Sequence, residues 1–188
     1  MNNSLNHYIG YFENIIPAEF CKKLIAEYSN REWQTHVWQN VSLPTMQYET
    51  HEPEVFYLKN ENNKEIKNTL GMFSMMAIDR YQNDKQIPVG LSKVHEYRIN
   101  RYNKNCFMRN HIDHIYDLFD GENRGIPVLS IIINLNEEYQ GGEIVFFEKL
   151  KFNLKTGDML VFPSNFLYPH SVEPVTNGIR YSAVSWAY

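Results

Sequence analysis

From Leu91 to Tyr188 the chain is a succession of short strand-forming runs broken by turns, and that texture constrains the fold more than any other feature. The runs are Val94 to Tyr102, Phe107 to Asp113, Pro127 to Leu135, Glu143 to Glu148, Lys151 to Leu154, Met159 to Phe162, Tyr168 to Val175 and Ile179 to Ala187. Asn103-Lys104-Asn105, Gly141-Gly142, Gly157-Asp158 and Thr176-Asn177-Gly178 punctuate them, the pattern of antiparallel strands joined by tight turns. Pro127 to Leu135 is the most apolar run and is expected to be a central strand. Many short strands need their edges protected. Two facing sheets closed as a jelly roll protect them and leave a mouth for a ligand.

The first 90 residues read differently. His7 to Phe12 is expected to be a short strand. Pro17 suits the first turn of a helix whose stripe is Phe20, Cys21, Leu24, Ile25 and Tyr28, with Lys22, Lys23 and Glu27 facing away. Asn62 to Gln82 is the longest helical candidate, through Ile66, Leu70, Phe73, Met76, Ala77 and Tyr81. Its Met72, Met75 and Met76 are expected to fill core, since no cysteine accompanies them as a soft-metal set would require. The whole is expected to be mainly β with flanking α-helices. Residues 1–90 form a helical support and residues 91–188 a jelly-roll core, within one domain.

Bulk properties narrow the function. Hydrophobic residues make up 43% of the 188, which suits a globular chain. The net charge of −4 argues against a dedicated nucleic-acid binder. Cys21 and Cys106 are the only cysteines and do not form a disulfide scaffold. The N-terminal residues carry no basic segment leading into an apolar run, and no apolar run reaches membrane-spanning length. A cytoplasmic protein with no membrane partner is expected.

The chemistry centres on His111-Ile112-Asp113. Two residues apart on an extended strand, the imidazole and the carboxylate share a face. A histidine from a distant strand would complete a facial metal site, and His170 is the candidate. Two histidines and one carboxylate leave coordination positions open, as in non-haem Fe(II) oxygenases. Zn(II) would accept the same ligands, but no base for hydrolysis is evident. His114 faces away from Asp113 on a strand and is left out; His36 and His51 are read as solvated. Arg180 lies ten residues after His170, and a hairpin at Thr176-Asn177-Gly178 would return it beside the metal, where a guanidinium can grip a carboxylate.

His111-x-Asp113, His170 and Arg180 in this order resemble the 2-oxoglutarate/Fe(II)-dependent dioxygenase superfamily, and most of all its prolyl 4-hydroxylase-like branch. Arg101-Tyr102, Asn134-Leu135-Asn136, Gly141-Gly142-Glu143, Gly157-Asp158 and Gly178-Ile179-Arg180 running on to Trp186 add to the likeness. It implies a double-stranded β-helix (the cupin-like jelly roll) with His111, Asp113 and His170 as iron ligands. Arg180 and Tyr102 would hold the far carboxylate of 2-oxoglutarate. Asn134 stands where some relatives have a cosubstrate-contacting tyrosine and is expected to donate instead.

Two other positions depart from the branch: Met108 replaces an aromatic residue, and Asn105-Cys106 replaces a glycine-containing turn. The resemblance implies Fe(II), 2-oxoglutarate and O2, with ascorbate as an auxiliary reductant. It implies hydroxylation of a C–H bond, foremost in a peptidyl residue such as proline, with release of succinate and CO2. A free small molecule is the alternative substrate, and a catalytically inactive binding domain the alternative outside enzymes. The second arginine and the asparagine of related nucleic-acid demethylases are missing after Arg180. Substrate identity is expected to reside in loops over residues 35–55 and 114–126.

Overall fold

The structure, a computed structural model, describes residues 4–38, 51–58, 63–88, 90–91, 93–113 and 126–188. Most of both expected substrate loops, and His114, lie outside the described residues.

The N-terminus differs from expectation. Leu5–Tyr8 is a 3-10 helix, and β1 is only Gly10–Phe12. Bonds from His7 N to Ser4 O (2.9 Å) and from Ile9 N to Asn6 O (3.2 Å) close the turn that displaces the strand start. Helix α1, Ala18–Tyr28, follows Pro17 and buries Cys21, Leu24 and Tyr28. Helix α2, Lys64–Lys85, buries Leu70, Ser74, Ala77, Ile78 and Tyr81, a stripe at helical spacing. Met72, Met75 and Met76 fall on the opposite arc and are 54%, 44% and 57% exposed. The expectation that they fill core is therefore corrected: the stripe through Leu70 and Ala77 takes the buried face and leaves the methionines outside.

The remaining strands are β2 (Gln34–Thr35), β3 (Glu54–Tyr57), β4 (Arg98–Tyr102), β5 (Met108–His111), β6 (Leu129–Asn134), β7 (Tyr139–Gly141) and β8 (Ile144–Phe146). After these come β9 (Leu150–Phe152), β10 (Met159–Pro163), β11 (His170–Val172), β12 (Val175–Gly178) and β13 (Arg180–Ala187). A seven-stranded sheet runs β1-β10-β6-β13-β4-β3-β2, and a four-stranded sheet runs β5-β11-β8-β9. All the pairings are antiparallel. The two sheets face each other as a jelly roll.

Alternation along the central strands explains the layers. Ile131 and Ile133 of β6, with Met159 and Val161 of β10, join Leu24, Tyr28, Leu70 and Tyr81 of the helices in one core. Ile132, Leu160 and Phe162 belong to a second core with Phe146 and Val172 of the smaller sheet. The larger sheet is thus covered on both faces, which is why Pro127 to Leu135 is apolar but for Ser130 and Asn134. The N-terminal third supplies strands as well as helices, since β1 and β3 extend the larger sheet.

The turn before β10 ties the N-terminal segment to the sheet. Gly157 donates to Asn134 O (2.8 Å), and its carbonyl accepts from Ile15 N and Ile16 N (3.0 and 3.1 Å). The buried Asp158 carboxylate accepts from Tyr11 Oη (2.6 Å), Asn14 N (2.9 Å) and Lys155 N (2.8 Å). Gly157 has φ +84°, and a Cβ there would stand 2.1 Å from Ile16 O. Gly157→Ala is expected to lower unfolding stability by about 2–4 kcal/mol, from left-handed strain plus backbone displacement. Urea titration checks this; a loss under about 1 kcal/mol would show that the turn gives way freely.

Candidate metal and cosubstrate site

Strands β5 and β11 pair so that His111 and His170 are direct cross-strand partners. Their ring centroids are 4.2 Å apart. Asp113 lies just past the end of β5, and its carboxylate closes the triangle: Oδ1 is 3.6 Å from His111 Nε2 and Oδ2 is 3.9 Å from His170 Nε2. One donor atom from each residue lies within 4.8 Å of the others, an arrangement that can hold a metal ion.

Backbone contacts fix which imidazole nitrogen faces inward. His111 Nδ1 lies 2.9 Å from Arg109 O, and His170 Nδ1 lies 3.2 Å from Tyr168 O. A carbonyl can only accept, so each Nδ1 carries the proton and each Nε2 presents a lone pair. Ser130 on β6 donates to Asp113 Oδ2 (2.7 Å) and is held in turn by Ser164 Oγ (2.6 Å). The facing sheet thus orients the carboxylate, the outer support that metal ligands require.

Electrostatics keep the ligands in binding form. Burial pushes the His111 imidazole down to about 4, and the neighbouring His170 adds to this against the opposing pull of Asp113. Burial would raise the Asp113 carboxyl, but His170, His111, Ser130 and Trp186 together hold it below the usual carboxylate range. At neutral pH the site therefore offers a neutral His111 and an ionised Asp113.

Arg180 approaches from the other sheet. Thr176-Asn177-Gly178 is not the expected hairpin between His170 and Arg180. Val175–Gly178 is β12, paired with β7, and Arg180 then opens β13 beside β4. The chain crosses from one sheet to the other, so the arginine and the histidines face each other across the barrel. Arg180 is 1% exposed. Its guanidinium carbon sits 5.0 Å from the Tyr102 ring centroid, and Nη1 reaches Ser182 Oγ at 3.3 Å. Its Nε and Nη2 are buried without a partner among the described residues. A buried cation with two free donors is costly unless a carboxylate completes it.

Gly142 makes room for this side chain. A Cβ there would lie 2.9 Å from Arg180 Cδ, and φ is +72°. Tyr102, 1% exposed, faces Arg180 across the β4–β13 ladder. Its hydroxyl accepts from Asn100 Nδ2 (3.5 Å), and its one acceptor among the described residues is the weak Met108 Sδ at 3.9 Å. Burial raises the phenol despite Arg180 and Arg98, so it remains an O–H donor. His111, Asp113, His170, Tyr102 and Arg180 line one cavity of about 350 Å3, counting its open mouth.

Asn134 does not join them. Its Nδ2 donates to Asn136 O (2.6 Å) and Leu154 O (2.9 Å), and its Oδ1 accepts from Tyr139 Oη (3.2 Å). The expected donation to cosubstrate is corrected: this amide secures the strand end and has no free donor. Three polar cavity residues are not singled out by the sequence, namely Arg98, Asn100 and Ser182. The available signal is the alternation of β4, where 98, 100 and 102 share a face; the neighbouring Arg101 turns outward to Glu54 (2.8 Å). His36 is buried rather than solvated, against Glu52 at 3.2 Å. Trp38, held by the same Glu52, packs its ring 5.1 Å from His111.

In the metal-free protein, His111 is expected to titrate with a midpoint of about 4 in a ring-proton NMR experiment. An unfolded imidazole titrates at about 6.5, so the unfolded chain takes up this proton first as pH falls. His111 therefore contributes stability that is fully present above that pH and is lost as pH falls toward the folded midpoint. A midpoint at or above the unfolded value would contradict the burial argument.

Residues 97–188 match the family described as the 2OG-Fe(II) oxygenase superfamily. Among curated proteins, the chain is 34% identical over 94 residues to a PKHD-type hydroxylase of Methylobacterium nodulans, covering 47% of this chain and 40% of that protein. It is 32% identical over 102 residues to a PKHD-type hydroxylase of Delftia acidovorans, covering 51% and 44%. The chain thus spans less than half the length of these two relatives. Among solved structures, the viral collagen prolyl hydroxylase of Paramecium Bursaria Chlorella virus-1 superposes with a TM-score of 0.71 at 15% identity, covering 98% of each chain. A prolyl hydroxylase of Trichoplax adhaerens, solved with a hypoxia inducible factor peptide fragment, gives 0.74 at 16% identity, covering 98% of this chain and 85% of that one. At such identities the likeness is one of fold. Residues 97–188 and the His-Asp-His triangle thus resemble the 2OG-Fe(II) oxygenase superfamily, and the fold is the one seen in solved prolyl hydroxylases.

Proposed function

We propose that this protein is an Fe(II)- and 2-oxoglutarate-dependent hydroxylase acting on a C–H bond of a peptidyl residue such as proline. The observation that carries the reading is the buried, half-partnered Arg180 facing a two-histidine, one-carboxylate triangle in a single cavity. Two histidines and a carboxylate suit Fe(II) with coordination positions left open. When iron, 2-oxoglutarate and O2 are bound, the centre supplies the oxidising power for hydroxylation, and the cosubstrate leaves as succinate and CO2.

The chain's own groups do the rest. Arg180 Nε and Nη2 grip the far carboxylate side by side, and Tyr102 adds an O–H. Arg109 O and Tyr168 O hold both imidazoles with Nε2 inward. Ser130 prevents the Asp113 carboxylate from turning away. The apolar walls, Met108, Ile132, Ile144, Val172 and Val184, exclude water and strengthen each of these contacts. Residues 1–90 serve as support, and residues 91–188 carry the reaction. The relatives' names and the peptide bound to the Trichoplax protein favour a peptidyl substrate over a free small molecule.

Two measurements test this. Calorimetric titration of the metal-loaded protein should show 2-oxoglutarate binding weakened at least about 30-fold by Arg180→Met, which removes a charge-assisted pair, and about 2- to 10-fold by Tyr102→Phe. Succinate release should require O2, rise with a proline-rich peptide and vanish in His111→Ala. Undiminished affinity in the arginine variant would remove Arg180 from its role. Stimulation by free small molecules alone would replace the peptidyl substrate.

A further inference from the structure

Four buried side-chain polar atoms among the described residues have no hydrogen-bond partner: Arg180 Nε and Nη2, Asn100 Oδ1 and Arg98 Nε. All of them line the metal cavity. Buried polar groups are almost always paired, so such a concentration marks a place built for a ligand. The cosubstrate carboxylate answers the two atoms of Arg180. It leaves Arg98 and Asn100 unexplained.

Strand geometry separates the two arginines. On β4, residues 98, 100 and 102 share the inward face, and their partners on β13 are Val184, Ser182 and Arg180. Arg98 therefore stands four residues, roughly 13 Å along the strand, from the Tyr102–Arg180 pair. Its guanidinium carbon lies 5.7 Å from the Trp186 ring centroid. Trp186 pairs in turn with Ser130, the residue that holds Asp113. Arg180 marks the cosubstrate end of the cavity, and Arg98 marks the metal end.

Among the described residues, the nearby carboxylates are committed elsewhere. Glu54 pairs with Arg101, Glu52 with His36 and Trp38, and Asp113 with the two histidines. Arg101, three residues along and on the opposite face, shows what a structural arginine does here: Nε binds Glu54 and Nη1 binds Ser29 O (3.0 Å). Arg98 has no such pairing for its Nε.

We propose that Arg98 anchors a carboxylate carried by the primary substrate, so that the C–H bond presented to the metal belongs to an anionic molecule. This rests on the oxygenase reading above and narrows its substrate class. The carboxylate is either that of a free amino acid or small acid, or that of an acidic side chain beside the target residue in a peptide. Asn100 Oδ1 would accept an N–H from the same molecule.

The test uses the full chain loaded with Mn(II) and 2-oxoglutarate without oxygen, so that nothing turns over and Arg180 is already engaged. Calorimetry compares two probe pairs: L-proline with L-prolinamide, and acetyl-Ala-Pro-Glu-amide with its Gln counterpart. In at least one pair the carboxylate member should bind about 10- to 100-fold more tightly, the worth of a hydrogen-bonded charge pair. Arg98→Gln should erase that preference, and Arg98→Lys, which keeps the charge, should retain part of it. A preference in the first pair identifies a free acid, and in the second an acidic peptide.

Equal binding within both pairs would overturn the inference. So would a preference that survives Arg98→Gln, or an Arg98→Gln effect confined to 2-oxoglutarate affinity. The 2-oxoglutarate titration of wild type and Arg180→Met decides the oxygenase reading separately, because Arg98 stands at the opposite end of the cavity from Arg180.

Discussion

The β5–β11 register is the constraint on which the site depends. Pairing His170 with His111 brings two imidazoles from residues far apart in sequence to a centroid separation of 4.2 Å. A slip of one residue would turn either histidine to the other side of its sheet. The strands hold this register because their neighbours are fixed. Val172 of β11 faces Ile144 of β8, His170 stacks on Phe146 at 5.4 Å, and Phe162 of the facing sheet meets the same ring at 4.9 Å. The aromatic core and the metal ligands are one packing unit.

The second sheet carries the complementary half of the chemistry. The candidate metal ligands come from β5, β11 and the segment after β5, whereas Arg180, Tyr102, Ser130, Arg98 and Asn100 project from β13, β4 and β6. The jelly roll sets these two sets face to face across an apolar gap. Among the described residues Arg180 is buried with two donors unmet, which is costly unless a ligand completes them. Binding sites commonly retain such locally unfavourable groups because the ligand completes them.

Much of this was legible in the sequence because it is written at short range. His111-x-Asp113 is read from local spacing, although Asp113 falls just past the end of β5, and Arg180 with Tyr102 is read from family order. The central β6 announced itself by its apolar run. What was not legible depends on long-range pairing. Thr176-Asn177-Gly178 has the composition of a hairpin turn, yet it lies in β12 because Tyr139–Gly141 is there to pair with it. Asn134 sits at a cosubstrate position of the family, but its amide is claimed by two carbonyls and Tyr139, contacts set by strands distant in sequence. The methionines of α2 match a helical period, and only the docking of Leu70 and Ala77 decides which arc is buried. Arg98 was overlooked beside Arg101, since nothing local shows which of two arginines on alternating faces points inward.

The most direct test of the central claim is an anaerobic titration of Fe(II)-loaded protein with 2-oxoglutarate, followed by visible absorption. A keto acid chelated to Fe(II) gives a charge-transfer band that neither component shows alone. A saturable band in wild type that is absent in His111→Ala, and that needs far more 2-oxoglutarate in Arg180→Met, is the predicted result. Folded wild-type protein that binds Fe(II) yet gives no band at saturating 2-oxoglutarate would contradict the assignment of this cavity.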